Sequence, residues 1–412
     1  MSTVIVVGSG VIGLSVCEAL IQDGHGIILI DENVPGSQTS FGNAGLIADY
    51  ANSPLANMDT LRKLPSLLSN KHSGVSLDIR DTHKLMHYGM KFVQAALSDN
   101  FARNQETLSK TLSLSLQAHI DQIDRLHLKD LVLENGCLHL YKNSPETEAD
   151  LTEIVAQKKK FDIDCEFVSK ETVHSLEPNV NLDGVTGGIF YPKTRSLLSP
   201  EKHAEALFRR LNLHSGFKYI DEAVLAFEQD GQSVWVKTNS QQIKGDELVL
   251  CAGIGTNQLL DTYGVQIPVV SERGYHIELD ATELQINRPI GWQGKYFFAT
   301  PMSDAIRLAG TTEFADRARK TRHQHHQLLE VWSKALFTQD AKTRSKWMGV
   351  RHSSPDGIPV ISRLPSMQRV SVCFGHGHLG LTMAAFSGQF IKEMIRGNAD
   401  KDLGKAYSLE RF

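Results

Sequence analysis

The sequence predicts a mixed fold, α/β plus α+β. A parallel-sheet domain is built from both chain ends and interrupted by a second domain of helices and antiparallel sheet. Three observations predict it. The N-terminus reads strand, glycine turn, helix, strand. Residues 268–310 alternate apolar and polar, as an antiparallel sheet does. The C-terminus returns to strand, glycine-rich turn and helix.

Composition agrees with a large globular chain. Of 412 residues, 41% are hydrophobic and 22% charged, which excludes a disordered or fibrous chain. At roughly 150 residues per domain, the length suggests two or three domains. Lys and Arg total 43 against 47 Asp and Glu, net −4, so no basic excess signals a nucleic-acid partner. The cysteines at 17, 137, 165, 251 and 373 are scattered, with no C-x-x-C. They read as buried thiols in a reducing compartment rather than as disulfides or zinc ligands. The first 20 residues are rather apolar, but no Lys or Arg precedes Arg62, so the positive start of an export signal is missing. No stretch approaches the ~20 apolar residues of a membrane span. The expectation is a cytoplasmic protein, with peripheral contact to the inner membrane face left open.

In chain order, Thr3 to Val7 is a β-branched run suited to a buried parallel strand, and Gly8-Ser9-Gly10-Val11-Ile12-Gly13 is the turn. Leu14 to Asp23 is a helix stopped by Gly24 and Gly26, and Ile27 to Ile30 a strand ending at Asp31-Glu32. From residue 49 the pattern changes. Asn52-Ser53-Pro54 reads as loop, and residues 81–126 carry helical spacing of apolar positions. Leu131 to Leu133 and Cys137 to Tyr141 flank Glu134-Asn135-Gly136, which predicts a hairpin. Residues 150–160 predict a helix whose Lys158-Lys159-Lys160 end is solvated. Ser199-Pro200-Glu201 opens a helix running to about Leu211. Strands are expected at 222–227, 233–238 and 248–251. Val269 to Leu279, Tyr296 to Thr300 and Ile306 to Ala309 then form the antiparallel sheet. Val370 to Phe374 and a helix from Leu381 to Ile395 close the chain.

The first turn carries chemistry. Gly8 makes the tight turn, Gly10 lets backbone approach a pyrophosphate, and Gly13 lets helix and strand pack closely. The helix N-terminus then holds phosphates through free N–H groups and its dipole. Asp31, with Glu32 beside it, ends the second strand, where a carboxylate accepts hydrogen bonds from ribose hydroxyls. An acid there argues against a 2′-phosphate. This predicts a Rossmann-like site for an ADP moiety and leaves NAD and FAD both open.

The far end of the chain separates them. Gly349-Val350-Arg351-His352-Ser353-Ser354-Pro355-Asp356-Gly357-Ile358-Pro359 and Gly375-His376-Gly377-His378-Leu379-Gly380-Leu381-Thr382-Met383-Ala384 join Thr39-Ser40-Phe41-Gly42-Asn43-Ala44-Gly45 and the first motif. Together they resemble the D-amino-acid oxidase superfamily, nearest the small-subunit type of bacterial D-amino-acid dehydrogenase, with glycine oxidase more distant. The resemblance implies non-covalent FAD. It implies cofactor contacts from Gly8, Gly10, Val11, Ile12, Gly13, Asp31, Glu32, Ser40, Asn43, Ala44, Gly45, Leu46, Cys251-Ala252-Gly253, Gly377, His378, Leu379, Gly380, Leu381 and Thr382, with Val224 near adenine. It implies an FAD-binding domain of 1–48, 196–262 and 340–412, and a substrate-binding (cap) domain of 49–195 and 263–339.

The expected reaction is oxidative deamination of D-amino acids to 2-oxo acids and ammonia, by hydride transfer from the α-carbon to the flavin. A half-buried substrate carboxylate calls for a guanidinium. Arg351 matches the family arginine, with Arg273 and Arg307 as competitors. Tyr275 and Tyr296 are candidates to assist, and His276 and His352, where the family pattern differs, to shape the pocket. No obligatory catalytic base is expected if the amine enters neutral. The acceptor stays open between a quinone or respiratory carrier and oxygen. D-hydroxyproline, glycine, sarcosine or another secondary amine are alternative substrates. A flavin-binding subunit of a larger dehydrogenase, inert alone, is the alternative from another class. His323-x-His325-His326 has no acid or Cys at ligand spacing, so it reads as solvated side chains and no metal is expected. No nucleophile elbow or P-loop is present.

Overall fold

A computed structural model describes residues 2–70, 72–282, 284–316 and 318–412. Among them the chain forms a six-stranded sheet, a nine-stranded sheet and two three-stranded sheets. The six-stranded sheet contains β1 (Thr3–Val7) and β2 (Gly26–Asp31), joined by helix α1 (Val11–Gln22). Its order is Phe217–Asp221, β2, β1, Glu247–Leu250, Met367–Phe374, Val360–Leu364. All neighbours are parallel except the last pair. The apolar run of β1 is buried because the sheet is covered on both faces. On one face, α1 packs against the helix Gly380–Arg396 through Leu14, Val16, Leu20, Met383, Phe386 and Ile391. On the other lies a three-stranded antiparallel layer of Val224–Asp230, Ser233–Thr238 and Gln242–Gly245.

The second sheet is largely antiparallel. It runs Thr343–Ser353, Val270–Asp280, Ala305–Phe314, Phe297–Pro301, Ile290–Gln293, Cys137–Lys142, Val185–Tyr191, Glu166–Val168, with Val75–Leu77 also paired to Ala305–Phe314. The expected boundary at residue 340 is crossed here. Thr343–Ser353 pairs with Val270–Asp280, so it belongs to this sheet and not to the nucleotide-binding one.

Helices Met58–Ser69, Thr82–Ala95 and Ser98–Leu126 precede all of its strands but Val75–Leu77, which lies between the first two. The first was not anticipated: Pro65 lies inside it and none of its residues is buried, so its apolar pattern marks no core. The expected 81–126 stretch breaks at Leu97, whose extended backbone caps the longer helix.

The hairpin expected around Glu134-Asn135-Gly136 is not formed. Val132–Leu133 pairs with Arg195–Leu197 in the second three-stranded sheet, while Cys137–Lys142 pairs with Val185–Tyr191 and Ile290–Gln293. Every residue of Cys137–Lys142 is buried, and a fully buried strand has more apolar surface to cover than one hairpin partner supplies.

The long helix Ser98–Leu126 is tied to the C-terminal helix Lys401–Tyr407 by a fully buried hydrogen bond between Thr111 and Tyr407. Tyr407→Phe is expected to cost about 1 kcal/mol, read as a lower urea midpoint at unchanged slope. Among the described residues no helix is long and apolar enough to cross a membrane.

Candidate active site

The turn between β1 and α1 is set by backbone contacts. Gly8 has φ +104°, and a Cβ on it would lie 2.6 Å from the Cys251 carbonyl oxygen. A Cβ on Gly13 would lie 1.8 Å from the Gly8 oxygen. Both glycines are therefore required by the protein's own packing. Gly10 differs: its nearest neighbour would be Ser40 Oγ at 3.4 Å, so the space beside it is open. Gly10 caps α1 without a side-chain hydrogen bond. In that first turn Val11 N–H donates to Ser40 Oγ at 3.0 Å. Val11 is buried and Ile12 half-buried. Asp31 Oδ2 accepts from Ser9 N–H at 2.6 Å and Ser9 Oγ at 2.9 Å, while Glu32 is exposed. Val224 follows closely on Phe217–Asp221, whose Asp221 pairs with Asp31, so it lies at the same sheet end. Cys251 continues its strand by donating N–H to Val7 O, and Gly253 turns against the His352 ring. A helix N-terminus whose cap residue has no side chain, open space at Gly10 and a carboxylate ending β2 fit the ADP half of a dinucleotide.

Segment 39–48 is fastened on three sides. Thr39 Oγ1 donates to Val350 O, and Arg307 Nη1 donates to Phe41 O and Asn43 O at 3.1 and 2.9 Å. Asn43 closes the turn by donating to Ser40 O and accepting from Gly45 N–H. Thr382 Oγ1 accepts from Ala48 N–H and donates to Leu46 O. The C-terminal glycine-rich turn forms a short 3-10 helix, Gly377–Leu379, leading into Gly380–Arg396, whose N-terminus also lacks a side-chain cap. Leu379, Leu381 and Thr382 are buried, while His378 stays accessible. The first turn, segment 40–46 and turn 377–382 thus converge on the paired helices α1 and Gly380–Arg396.

Three arginines were candidates for a substrate carboxylate, and burial separates them. Arg273 is 0% exposed and paired with Glu313 at 3.1 Å. Arg307 is 7% exposed and paired with Glu278 at 2.8 Å, in addition to holding Phe41 and Asn43. Arg351 is 26% exposed. Its guanidinium lies flat on Gly274, where a Cβ would come within 2.7 Å of Nη2. Nη2 meets Glu272 Oε1 at 3.1 Å and donates to Thr311 O and Thr312 Oγ1, both at 3.2 Å. Thr311 is the extra residue of a bulge opposite Gly274 and Tyr275, and its φ is +53°. A left-handed β-branched residue is strained, and the strain presents its carbonyl to Arg351. Among the described residues all of Arg351's hydrogen bonds run through Nη2, and buried Nε has none, which leaves Nη1 for a ligand. Ser353 bridges from Glu272 to the C-terminal turn: its Oγ donates to Glu272 Oε2 at 2.8 Å, and it pairs with His376 beside Gly377.

The remaining expected residues divide. Tyr275 does not face Arg351. It is 2% exposed, donates to Glu313, and stacks on His325 at 4.5 Å. Burial and then the Glu313 hydrogen bond push its hydroxyl pKa up, so it remains protonated. His276 is buried, stacked on Trp347 at 5.1 Å, and engaged with Gly42 O through Nδ1. Burial lowers its pKa to about 4, which keeps it neutral. His352 packs on Gly253, just after the strand that Cys251 continues. Tyr296 is exposed in a turn at φ +56°, just before Phe297, which pairs with Gly310 beside the bulge. The expectation of a solvated His323-x-His325-His326 fails for two of the three. His325 and His326 lie on the inner face of helix His323–Leu336, bonded to Ser76 Oγ and Trp347 O. Sequence reasoning missed Glu272, Thr312, Ser353 and Trp347. Parity along the strand holds the signal for Glu272: it shares a face with Gly274, on which Arg351 rests.

Comparison with known proteins places this geometry. The family pattern described as DAO, FAD dependent oxidoreductase, matches residues 3–394. A D-amino acid dehydrogenase of Vibrio atlanticus is 26% identical over 99% of this chain and 99% of its own length. A D-amino-acid oxidase of Bradyrhizobium diazoefficiens is 24% identical over 99% of this chain and 98% of its own. The crystal structure of glycine oxidase from Geobacillus kaustophilus covers 100% of both chains with a TM-score of 0.76 at 16% identity, a likeness of fold. With a family match running from β1 into the last long helix, the chain belongs to the DAO family of FAD-dependent oxidoreductases.

Proposed function

We propose that this enzyme oxidises D-amino acids to 2-oxo acids and ammonia. Non-covalent FAD sits on the six-stranded sheet, and the substrate is held from the nine-stranded sheet. The observation that carries the reading is the accessible Arg351 guanidinium, joined through Glu272 and Ser353 to the C-terminal glycine turn. In this reading Gly8, Gly10, Gly13 and Asp31 hold the ADP half of FAD, and segment 40–46 and turn 377–382 hold the flavin half. The uncapped N-terminus of Gly380–Arg396 favours negative charge near it. Bound FAD supplies the two-electron acceptor for the substrate Cα–H.

The chain's own residues do the rest. Arg351 Nη1 anchors the substrate carboxylate, which orients the α-carbon. His276 is locked and neutral, Tyr275 faces the opposite side, and both Glu272 oxygens are engaged. None of them is placed as a general base, so the amine enters neutral. The product imine takes up water and releases ammonia and the 2-oxo acid.

The test is anaerobic bleaching of the holoenzyme's yellow absorbance by matched D- and L-amino acids, with glycine, sarcosine and D-hydroxyproline alongside. Bleaching by D- and not L-enantiomers is the expected result. Bleaching only by L-amino acids or secondary amines overturns the reading. The relatives named above include a dehydrogenase and an oxidase, so the acceptor is tested separately. Stoichiometric hydrogen peroxide in air identifies oxygen, and turnover only with an added quinone identifies a respiratory carrier.

A further inference from the structure

In the reading above, segment 40–46 holds the flavin half and Arg351 holds the substrate; one indole joins the two. Trp347 and His276 are cross-strand partners on Thr343–Ser353 and Val270–Asp280, and the next pair along that face is Gly349 with Gly274. Alternation sets Trp347, Gly349 and Arg351 on the same face of the sheet. Two glycines make room for the ring. A Cβ on Gly349 would lie 1.9 Å from Trp347 Cη2, and a Cβ on Gly42 would lie 2.2 Å from Cε3 and Cζ3. Neither glycine has a positive φ, so no left-handed turn demands them; the indole does.

The ring is fixed in its place. The His276 ring stacks on it with centroids 5.1 Å apart and planes at 18°. His276 is 2% exposed, and its Nδ1–H donates to Gly42 O at 3.0 Å. Burial keeps that histidine neutral, so its one ring proton is the proton in that bond. Phe41 tilts against the indole at 6.1 Å. From helix His323–Leu336, His326 Nε2–H donates to Trp347 O at 3.0 Å. Both neighbours of Gly42 are held as well, since Arg307 Nη1 donates to Phe41 O and Asn43 O. Three successive carbonyls of the loop are therefore tied to the sheet. The hydrogen bonds draw the loop onto the sheet, and a rigid ring packed against Gly42 sets how near it comes. A misplacement of about 1 Å between reacting groups can cost about a hundredfold in rate, so this spacing bears on hydride transfer.

We propose, resting on the functional reading above, that Trp347 is a positioning residue for hydride transfer. Its indole, wedged between the strand that carries Arg351 and Gly42 of the flavin-bearing loop, sets the separation between substrate α-carbon and flavin. Trp347→Leu removes the ring and leaves Arg351 in place. In anaerobic stopped-flow reduction of the holoenzyme by a D-amino acid, the limiting rate constant should fall about tenfold to a hundredfold. The substrate Kd from the same titration should stay within about threefold, because the carboxylate contact is intact. Trp347→Phe keeps a flat ring against His276 and should recover part of the rate. Two readouts need no turnover. The visible circular dichroism of bound FAD should change in the Leu variant and return towards wild type in the Phe variant. In the apoprotein, backbone hydrogen exchange across residues 39–46 should be about tenfold faster in the Leu variant. Should the Leu variant not fold, the Phe variant carries the same tests to a smaller degree. An unchanged limiting rate overturns the proposal. A fall in rate matched by an equal rise in Kd also overturns it, since Trp347 then contacts the substrate instead of setting the flavin. If no amino acid reduces the wild-type flavin, the functional reading fails. Exchange and dichroism then decide alone whether Trp347 holds the loop, and both unchanged means that it does not.

Discussion

Arg351→Met is expected to raise KM for the amino-acid substrate by about two orders of magnitude or more while the protein stays yellow. Losing a charge-assisted contact to a carboxylate costs about 2–4 kcal/mol, and each 1.4 kcal/mol is a factor of ten. No other guanidinium takes over: Arg273 is enclosed with Glu313 on the opposite face, and Arg307 is occupied by Glu278, Phe41 and Asn43. Arg351→Lys should recover part of the loss, since it restores charge without the planar fork. Unchanged KM in the Met variant would remove Arg351 from the substrate site. The same variant carries a second signature in stability. In the wild type the Glu272 pKa is lowered, so its contribution is present above the ordinary glutamate value near 4.5 and is lost as pH falls through its folded value. Without Arg351 burial dominates and the pKa rises. The penalty, about 3 kcal/mol, is then full at neutral pH and relieved as the carboxyl protonates on acidification. The gap between the two melting temperatures should be wide at pH 8 and narrow towards pH 4. A gap independent of pH would mean that Glu272 is not held by Arg351.

That pair also shows where local sequence stops being informative. The nucleotide turn was legible because its spacing lies within one strand, one turn and one helix, with Gly13 packed on Gly8, although Gly8 is also held by the distant Cys251. Asp31 was legible because strand ends follow from spacing. Arg351 became a candidate through the resemblance of its segment to a family, not through its neighbours. Glu272 was passed over because its meaning depends on the register that sets it opposite Arg351, a pairing between strands distant in sequence. Tyr275 was misplaced for a related reason. It shares strand parity with Arg273 and so falls on the Glu313 face, while Glu272 and Gly274 point to Arg351. Periodicity named the strand, but only pairing revealed which face served the site. His325 and His326 and the absent hairpin at residues 131–141 repeat the lesson, since polar or turn-like local sequence was overruled by what those segments had to cover.

Gly10→Val and Gly13→Ala are expected to fail in different ways, and the contrast tests the cofactor cradle more sharply than either alone. Gly10 has φ −67°, an ordinary value for any residue, and the nearest atom to an added Cβ is Ser40 Oγ at 3.4 Å. The protein itself therefore leaves room for a Cβ there. What the valine obstructs is the close approach of a pyrophosphate to the first turn of α1. The Gly10→Val polypeptide should fold, with the melting temperature of wild-type apoprotein, yet bind added FAD at least a hundredfold more weakly. Its ratio of 450 nm to 280 nm absorbance should stay near zero at micromolar FAD. Gly13→Ala places its methyl 1.8 Å from the Gly8 carbonyl oxygen, so α1 has to move off β1. Overpacking of this kind costs about 1–3 kcal/mol or more, and here it falls on the buried α1 contact with Gly380–Arg396. That variant should be destabilised even as apoprotein, with FAD loss following from the distorted turn. If Gly10→Val retained FAD with wild-type affinity, the phosphates would have to lie elsewhere. The start of α1 would then be only a helix end.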